Sequence, residues 1–196
     1  KFGGTEIMGK KIGVIGLGAI GIMVANTAEA LGMEIWGYDP YLSIDAALRL
    51  SSNIKRSPSL ERLLAECDYI TLHVPLNKET REFISADKFA VMKKGVKILN
   101  FARRELVKTA DLQKAIADGV VSCYVTDFPD EELIKTEKCI AIPHLGASTE
   151  ESEENCAMMA VMQLMEFLEN GNIKNSVNFP ESALDRSGKQ RLTIAN

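Results

Sequence analysis

The sequence predicts an α/β fold, a doubly wound parallel sheet with helices on both faces. Short apolar runs of strand length recur along the chain, and segments with helical spacing follow them. Strands that alternate with helices pair in parallel, because each crossover helix carries the chain back to the same edge of the sheet. A glycine cluster, GLGAIG at residues 16–21, also stands between the first strand and the first helix.

The elements follow in order. KKIGVIGL (10–17) is a strand, and AIGIMVANTAEALG is a helix ended by Gly32. MEIWGYD (33–39) is a strand and SIDAALRL a short helix. SLERLLAEC (59–67) is a helix, and DYITLHVP is a strand stopped by Pro75. SADKFAVM (85–92) is a helix and VKILNFA (96–102) a strand. TADLQKAIADG is a helix with Thr109 as its expected N-cap, and VVSCYVTDF (120–128) is a strand. KCIAIPH (138–144) is the last strand. The long helix after it is capped by Ser148 or Thr149 and ends at Gly171. Within it Met158, Met159, Met162 and Met165 have helical spacing and are expected in the core.

Composition excludes several classes. The net charge is −4 with both signs interspersed, so no basic stripe marks a nucleic-acid surface. No apolar run reaches the roughly 18 residues that a membrane span needs, and KFGGTEIMGKK does not read as a signal peptide. Cys67, Cys123, Cys139 and Cys156 are scattered without a CxxC pair, which argues against zinc and for reduced, buried thiols in a cytoplasmic protein. No metal ligand set is expected.

The glycine cluster carries the first chemical signal. A bare GxGxxG is weak, but this one has a strand before it, a helix after it and an acid at the end of the next strand. Gly16 permits a tight turn, Gly18 lets the backbone approach a pyrophosphate, and Gly21 lets helix and strand pack closely. The free N–H groups and dipole of the helix start, at Ala19 and Ile20, favour phosphate. Asp39 can accept both adenosine ribose hydroxyls and would repel a 2′-phosphate, so NAD is expected rather than NADP. The domain is Rossmann-type on this reading.

Ligands of such sheets lie at the carboxyl ends of the strands. Those ends carry His73, Val74, Pro75 and Thr80; Asn100, Phe101, Ala102 and Arg103; Asp127, Glu131 and Glu132; and PHLGAS, with His144, Gly146 and Ala147. All but Glu131 and Glu132 are expected to line the cofactor pocket. Cation, acid and imidazole thus converge on one edge. Hydride exchange between NAD and a 2-hydroxy acid needs a cation for the carboxylate, a base for the hydroxyl proton and an acid to orient that base. His144 alone does not decide between a turn residue and a proton carrier.

These residues carry a resemblance. GKKIGVIGLGAIG, WGYDP, CDYITLHVPLNKETREFI, KILNFAR, PHLGAST and NGNIKNSVNFP are similar to the nucleotide-binding part of D-isomer-specific 2-hydroxyacid dehydrogenases, and most of all to those acting on 3-phosphoglycerate. The resemblance runs from about residue 3 to 180. It implies NAD-dependent oxidation of D-3-phosphoglycerate to 3-phosphohydroxypyruvate, the entry to serine synthesis. It also implies a small-molecule 2-hydroxy acid as substrate, and a homodimer or homotetramer. The family's Arg, Glu, His set matches Arg103 on the substrate carboxylate, Glu131 as the acid and His144 as the acid/base. The stretch TDFPDEE departs from the family's pattern; counting from Asp127 selects Glu132, whereas alignment on Phe128 and Pro129 selects Glu131, the preferred choice. A second departure is Arg104, which stands where the family has a glycine that keeps space beside the nicotinamide.

The implied organisation is a nucleotide domain over 1–171, a return segment to the substrate domain and linker over 172–190, and the first strand of an ACT-like domain in RLTIAN, 191–196. The natural chain is expected to continue, and the piece in hand is expected to turn over little substrate alone. Glyoxylate/hydroxypyruvate reductase and a non-enzymatic, NAD-sensing corepressor share the fold and stay open as alternatives.

Overall fold

The computed structural model describes residues 4–185, 187, 188 and 192. The chain divides into two compact units, Lys1–His144 and Leu145–Asn196.

The first unit runs β1 (Lys11–Ile15), α1 (Ala19–Ala30), β2 (Glu34–Tyr38), α2 (Ile44–Leu48), β3 (Lys55–Arg56), α3 (Leu60–Glu66), β4 (Tyr69–Leu72), α4 (Ala86–Val91), β5 (Val96–Asn100), a 3-10 turn (Arg104–Leu106), α5 (Thr109–Ala117), β6 (Val121–Thr126), α6 (Glu131–Lys135) and β7 (Cys139–Ala141). The strands form one parallel, seven-stranded sheet in the order β3-β2-β1-β4-β5-β6-β7. The order reverses between β1 and β4. The loops at the ends of those two strands diverge to opposite sides and leave a crevice.

Packing follows the sequence pattern. The central strands are apolar on both faces, as a sheet covered on both sides requires: Ile12, Val14, Ile15, Ile70, Leu72 and Ile98 are buried. The helix α1 turns Gly21, Ile22, Ala25 and Ala28 inward, and small residues at that spacing let it lie close to the sheet. The helix α3 buries Leu60, Leu63 and Leu64 under Ser59, whose side chain accepts from Arg62 N–H. Truncating Leu63, which is fully buried, to alanine would cost about 2–5 kcal/mol.

Several expectations are corrected. Strand β3, two residues long, and helix α6 were not foreseen. The N-cap of α5 is Lys108, not Thr109, and it makes no side-chain cap; its backbone N–H donates to Ile84 O, which sets the chain's entry to the helix one residue earlier. Of the four cysteines only Cys67 is buried, and Cys156 is exposed.

The second unit holds α7 (Glu150–Asn170) and an antiparallel bridge between Ile173 and Ser182. Thr149 caps α7 by accepting from Ser152 N–H at 3.1 Å, and Gly171 closes it in the left-handed conformation. The helix α7 clusters with the segment that follows it. Its methionines are not in a core: Met158, Met159, Met162 and Met165 are all at least half exposed. Helical spacing marks an apolar face without saying what covers it. The expected strand in RLTIAN lies outside the described residues, except for Leu192. No helix among the described residues is long and apolar enough to cross a membrane.

Candidate active site

The glycine loop is built by backbone contact. Gly16 has φ +92°, a conformation costly for any residue with a Cβ. A Cβ on Gly21 would lie 1.9 Å from the Gly16 carbonyl oxygen, so helix and loop touch there. A Cβ on Gly18 would meet nothing within 4 Å, which leaves the space outside that residue open. Gly18 is the N-cap of α1, with no side-chain cap and no acidic residue in the first turn. The positive end of this 12-residue helix therefore carries no side-chain cap and no first-turn acid. These features fit a pyrophosphate, and Gly16, Gly18, Ala19, Ile20 and Gly21 would hold it.

Asp39 follows β2 and faces this loop. Its Oδ2 accepts from Leu17 N–H and its Oδ1 from Tyr41 N–H, both at 2.8 Å. A carboxylate has about four lone-pair sites, so two remain for ribose hydroxyls.

Beyond β4, Ile20, His73, Val74, Pro75, Leu76, Ala102 and Arg103 line a cleft of about 610 Å³. His73 Nε2 lies 3.0 Å from Thr71 Oγ1, and burial lowers the ring's pKa. Thr80 holds the following turn: its hydroxyl donates to Pro75 O at 2.6 Å and accepts from Asn77 N–H at 2.8 Å. A larger cavity, about 710 Å³, lies in the second unit and contains none of the candidate residues.

The end of β5 is pinned by Asn100. Fully buried, its amide donates to Arg103 O at 2.9 Å and to Tyr124 Oη at 3.0 Å, and its Oδ1 accepts from Ala102 N–H at 3.2 Å. Burial pushes the Tyr124 phenol up to about 12, which keeps it neutral beside Asn100. The turn held in this way presents Phe101 and Arg103 at the surface. Arg104 does not adopt the glycine-like conformation, since among the described residues the positive-φ residues other than glycine are Glu82, Lys138 and Asn175. Its guanidinium reaches Asp130 Oδ2 at 2.7 Å.

Strands β6 and β7 bring the histidine in. Ile142 N–H donates to Thr126 O, so residues just past the two strand ends are held side by side. There His144 Nδ1 lies 2.8 Å from Asp127 Oδ2. Phe128 packs against the imidazole at a tilt of 40°, with ring centroids 4.3 Å apart, and the Arg103 guanidinium lies 5.6 Å from the Phe128 ring centre. Arg103, Phe128, His144 and Asp127 thus form one group, with half of the His144 side chain exposed and Asp127 almost wholly buried. The second oxygen, Asp127 Oδ1, is buried with no hydrogen-bond partner among the described residues.

The expected acid is not in this group. Glu131 and Glu132 are exposed in the first turn of α6, where negative charge favours the helix dipole. The turn is capped by Asp130, whose Oδ1 accepts from Glu132 N–H and Leu133 N–H. The cap was legible in PDEEL, an Asp before acids and an apolar residue. Phe128 had no comparable signal, since an aromatic at a strand end reads equally as core. Gly146 and Ala147 belong to the second unit, and both are exposed.

The comparisons with known proteins agree with this architecture. Residues 1–146 match the family model described as D-isomer specific 2-hydroxyacid dehydrogenase, NAD binding domain. The chain is 36% identical over 195 residues to D-3-phosphoglycerate dehydrogenase of Methanocaldococcus jannaschii, covering 96% of this chain and 37% of that protein. It is also 36% identical to the Haemophilus influenzae enzyme of that name, covering 97% of this chain and 48% of the other. Among solved structures it is similar to NAD+-bound 3-phosphoglycerate dehydrogenase of Entamoeba histolytica (TM-score 0.77, 32% identity, 91% of this chain and 58% of that one). A glyoxylate reductase from Paecilomyes thermophila is also similar (TM-score 0.78, 29% identity, 89% and 54%). The chain spans less than half the length of these two curated relatives. With three quarters of its residues matched by the family model and a glycine loop, acid and strand-end histidine in the places described above, the chain belongs to the D-isomer specific 2-hydroxyacid dehydrogenase family.

Proposed function

We propose that this chain is the cofactor-binding portion of an NAD-dependent dehydrogenase that oxidises D-3-phosphoglycerate to 3-phosphohydroxypyruvate. The observation that carries the reading is the grouping of Arg103, His144 and a buried carboxylate at the ends of β5, β6 and β7. Bound NAD supplies the hydride acceptor. Arg103, exposed and with one guanidinium nitrogen donating to Ala102 O at 2.7 Å, binds the substrate carboxylate with its remaining donors. The buried carboxylate occupies His144 Nδ1, so Nε2 is left to take the hydroxyl proton. The similarity to enzymes named for 3-phosphoglycerate supports that substrate, and the likeness to a glyoxylate reductase supports a smaller 2-oxo acid as the second reading. A cytoplasmic homodimer or homotetramer completes the proposal.

Steady-state turnover of the full-length protein tests it, with 3-phosphoglycerate and NAD against glyoxylate or hydroxypyruvate and NADH. Preference for 3-phosphoglycerate is expected. His144→Ala should lower kcat by roughly 10²–10⁴ while leaving NAD affinity nearly unchanged. Preference for glyoxylate would favour the second reading, and no turnover of any of these with intact NAD binding would favour the corepressor-like alternative.

A further inference from the structure

We infer that Asp127 has taken over from the family's glutamate position as the carboxylate that positions His144, and that the Arg104–Asp130 ion pair is the device that leaves Glu131 out of the site. The inference rests on the reading of His144 as the proton carrier and adds what holds it. Three observations converge on Asp127. Its Oδ2 is 2.8 Å from His144 Nδ1. It directly follows Thr126, the last residue of β6, and the ladder places Thr126 opposite Ala141 of β7, so backbone pairing sets its distance to His144. Its side chain is 10% exposed, so neither solvent nor rotamer freedom competes strongly for the contact.

Glu131 is held elsewhere. Asp130 caps α6 with Oδ1 and takes the Arg104 guanidinium on Oδ2 at 2.7 Å. This bond ties the start of α6 to the 3-10 turn after β5. It places Glu131 and Glu132 on the rim of a charged pocket with Arg81, Glu82, Arg104 and Lys108. The two departures from the family pattern, Arg104 for glycine and TDFPDEE with its shifted acids, are therefore two ends of one contact. Asp127 is a positioning residue: an ionised carboxylate can only accept, so it selects the tautomer with the proton on Nδ1 and leaves the Nε2 lone pair for substrate.

The test is the tautomer of His144 in the full-length protein, read from long-range ¹H–¹⁵N spectra with the signals identified by their loss in His144→Gln. The neutral ring of the unaltered protein is expected as the Nδ1–H form. Asp127→Asn, whose amide can donate to Nδ1, should move it toward Nε2–H and lower kcat by roughly 10²–10⁴, as loss of the correct tautomer does in a histidine-based site. Glu131→Gln and Glu132→Gln should change neither. An Nε2–H ring in the unaltered protein would overturn the inference without any variant, and so would a tautomer that responds to Glu131→Gln but not to Asp127→Asn. If the tautomer responds to Asp127→Asn and no 2-hydroxy acid is turned over, the dehydrogenase reading fails while the Asp127–His144 pair stands.

Discussion

Asp39 Oδ2 accepts a hydrogen bond from the backbone N–H of Leu17 at 2.8 Å, which ties the acid after β2 to the glycine loop after β1. Gly16 N–H donates to Tyr38 O beside it, at 2.9 Å. The carboxylate that would read the ribose thus also shapes the loop that would hold the phosphates.

Asp39→Ala should therefore act twice. NADH affinity should fall at least tenfold while NADPH affinity holds or rises, because a negative group beside the 2′ position is gone. The fold should also lose about 1.5–3 kcal/mol, since the N–H groups of Leu17 and Tyr41 both lose a carboxylate acceptor. Asp39→Asn should keep much of the stability. Fluorescence titration of both cofactors and urea melts read the two effects; unchanged discrimination in Asp39→Ala would refute the ribose role.

Gly18 and Gly21 should separate binding from folding. Gly21→Ala drives a Cβ into the Gly16 carbonyl and should destabilise the chain by about 1–3 kcal/mol or more. Gly18→Ala meets open space and should change stability by about 1 kcal/mol or less, yet lose most NADH affinity by filling the phosphate approach. Unchanged NADH affinity in Gly18→Ala would show that the open space at Gly18 is not held for a ligand.

His73 should make the fold acid-sensitive. Burial lowers its pKa below the ordinary 6.5, so on acidification the unfolded chain takes up the proton first. The stability contributed by the neutral ring is complete above pH 6.5 and is lost as the pH falls through the lowered value. The drop in urea midpoint between pH 8 and pH 5 should be smaller in His73→Gln than in the unaltered chain. An equal drop would place the acid sensitivity elsewhere.

The thiols should react in order of exposure. Burial pushes Cys67 up to about 12 and raises Cys123 and Cys139 as well, which suppresses their thiolates. With a disulfide reagent at pH 8, Cys156 should react first and Cys67 only after denaturation. Native-state labelling of Cys67, read by mass spectrometry, would contradict this.

The sequence by itself determined the main elements, though not β3 or α6, and the end of the sheet that carries the chemistry. Strand-length apolar runs that alternate with helical stripes specify a parallel sheet, because the crossover helices cover both of its faces. Gly16, Gly18, Gly21 and Asp39 were legible because a tight turn and a phosphate approach admit few residue types. Tertiary structure alone decided the partner of His144. Asp127, Asp130, Glu131 and Glu132 are chemically similar and adjacent, so a motif aligned along the chain cannot choose among them. The register of β6 against β7 selected Asp127, and the Arg104–Asp130 contact, made across 26 residues, turned Glu131 outward. The methionines of α7 show the same limit: local spacing records which face of a helix is apolar, and what that face meets depends on contacts that no local pattern encodes.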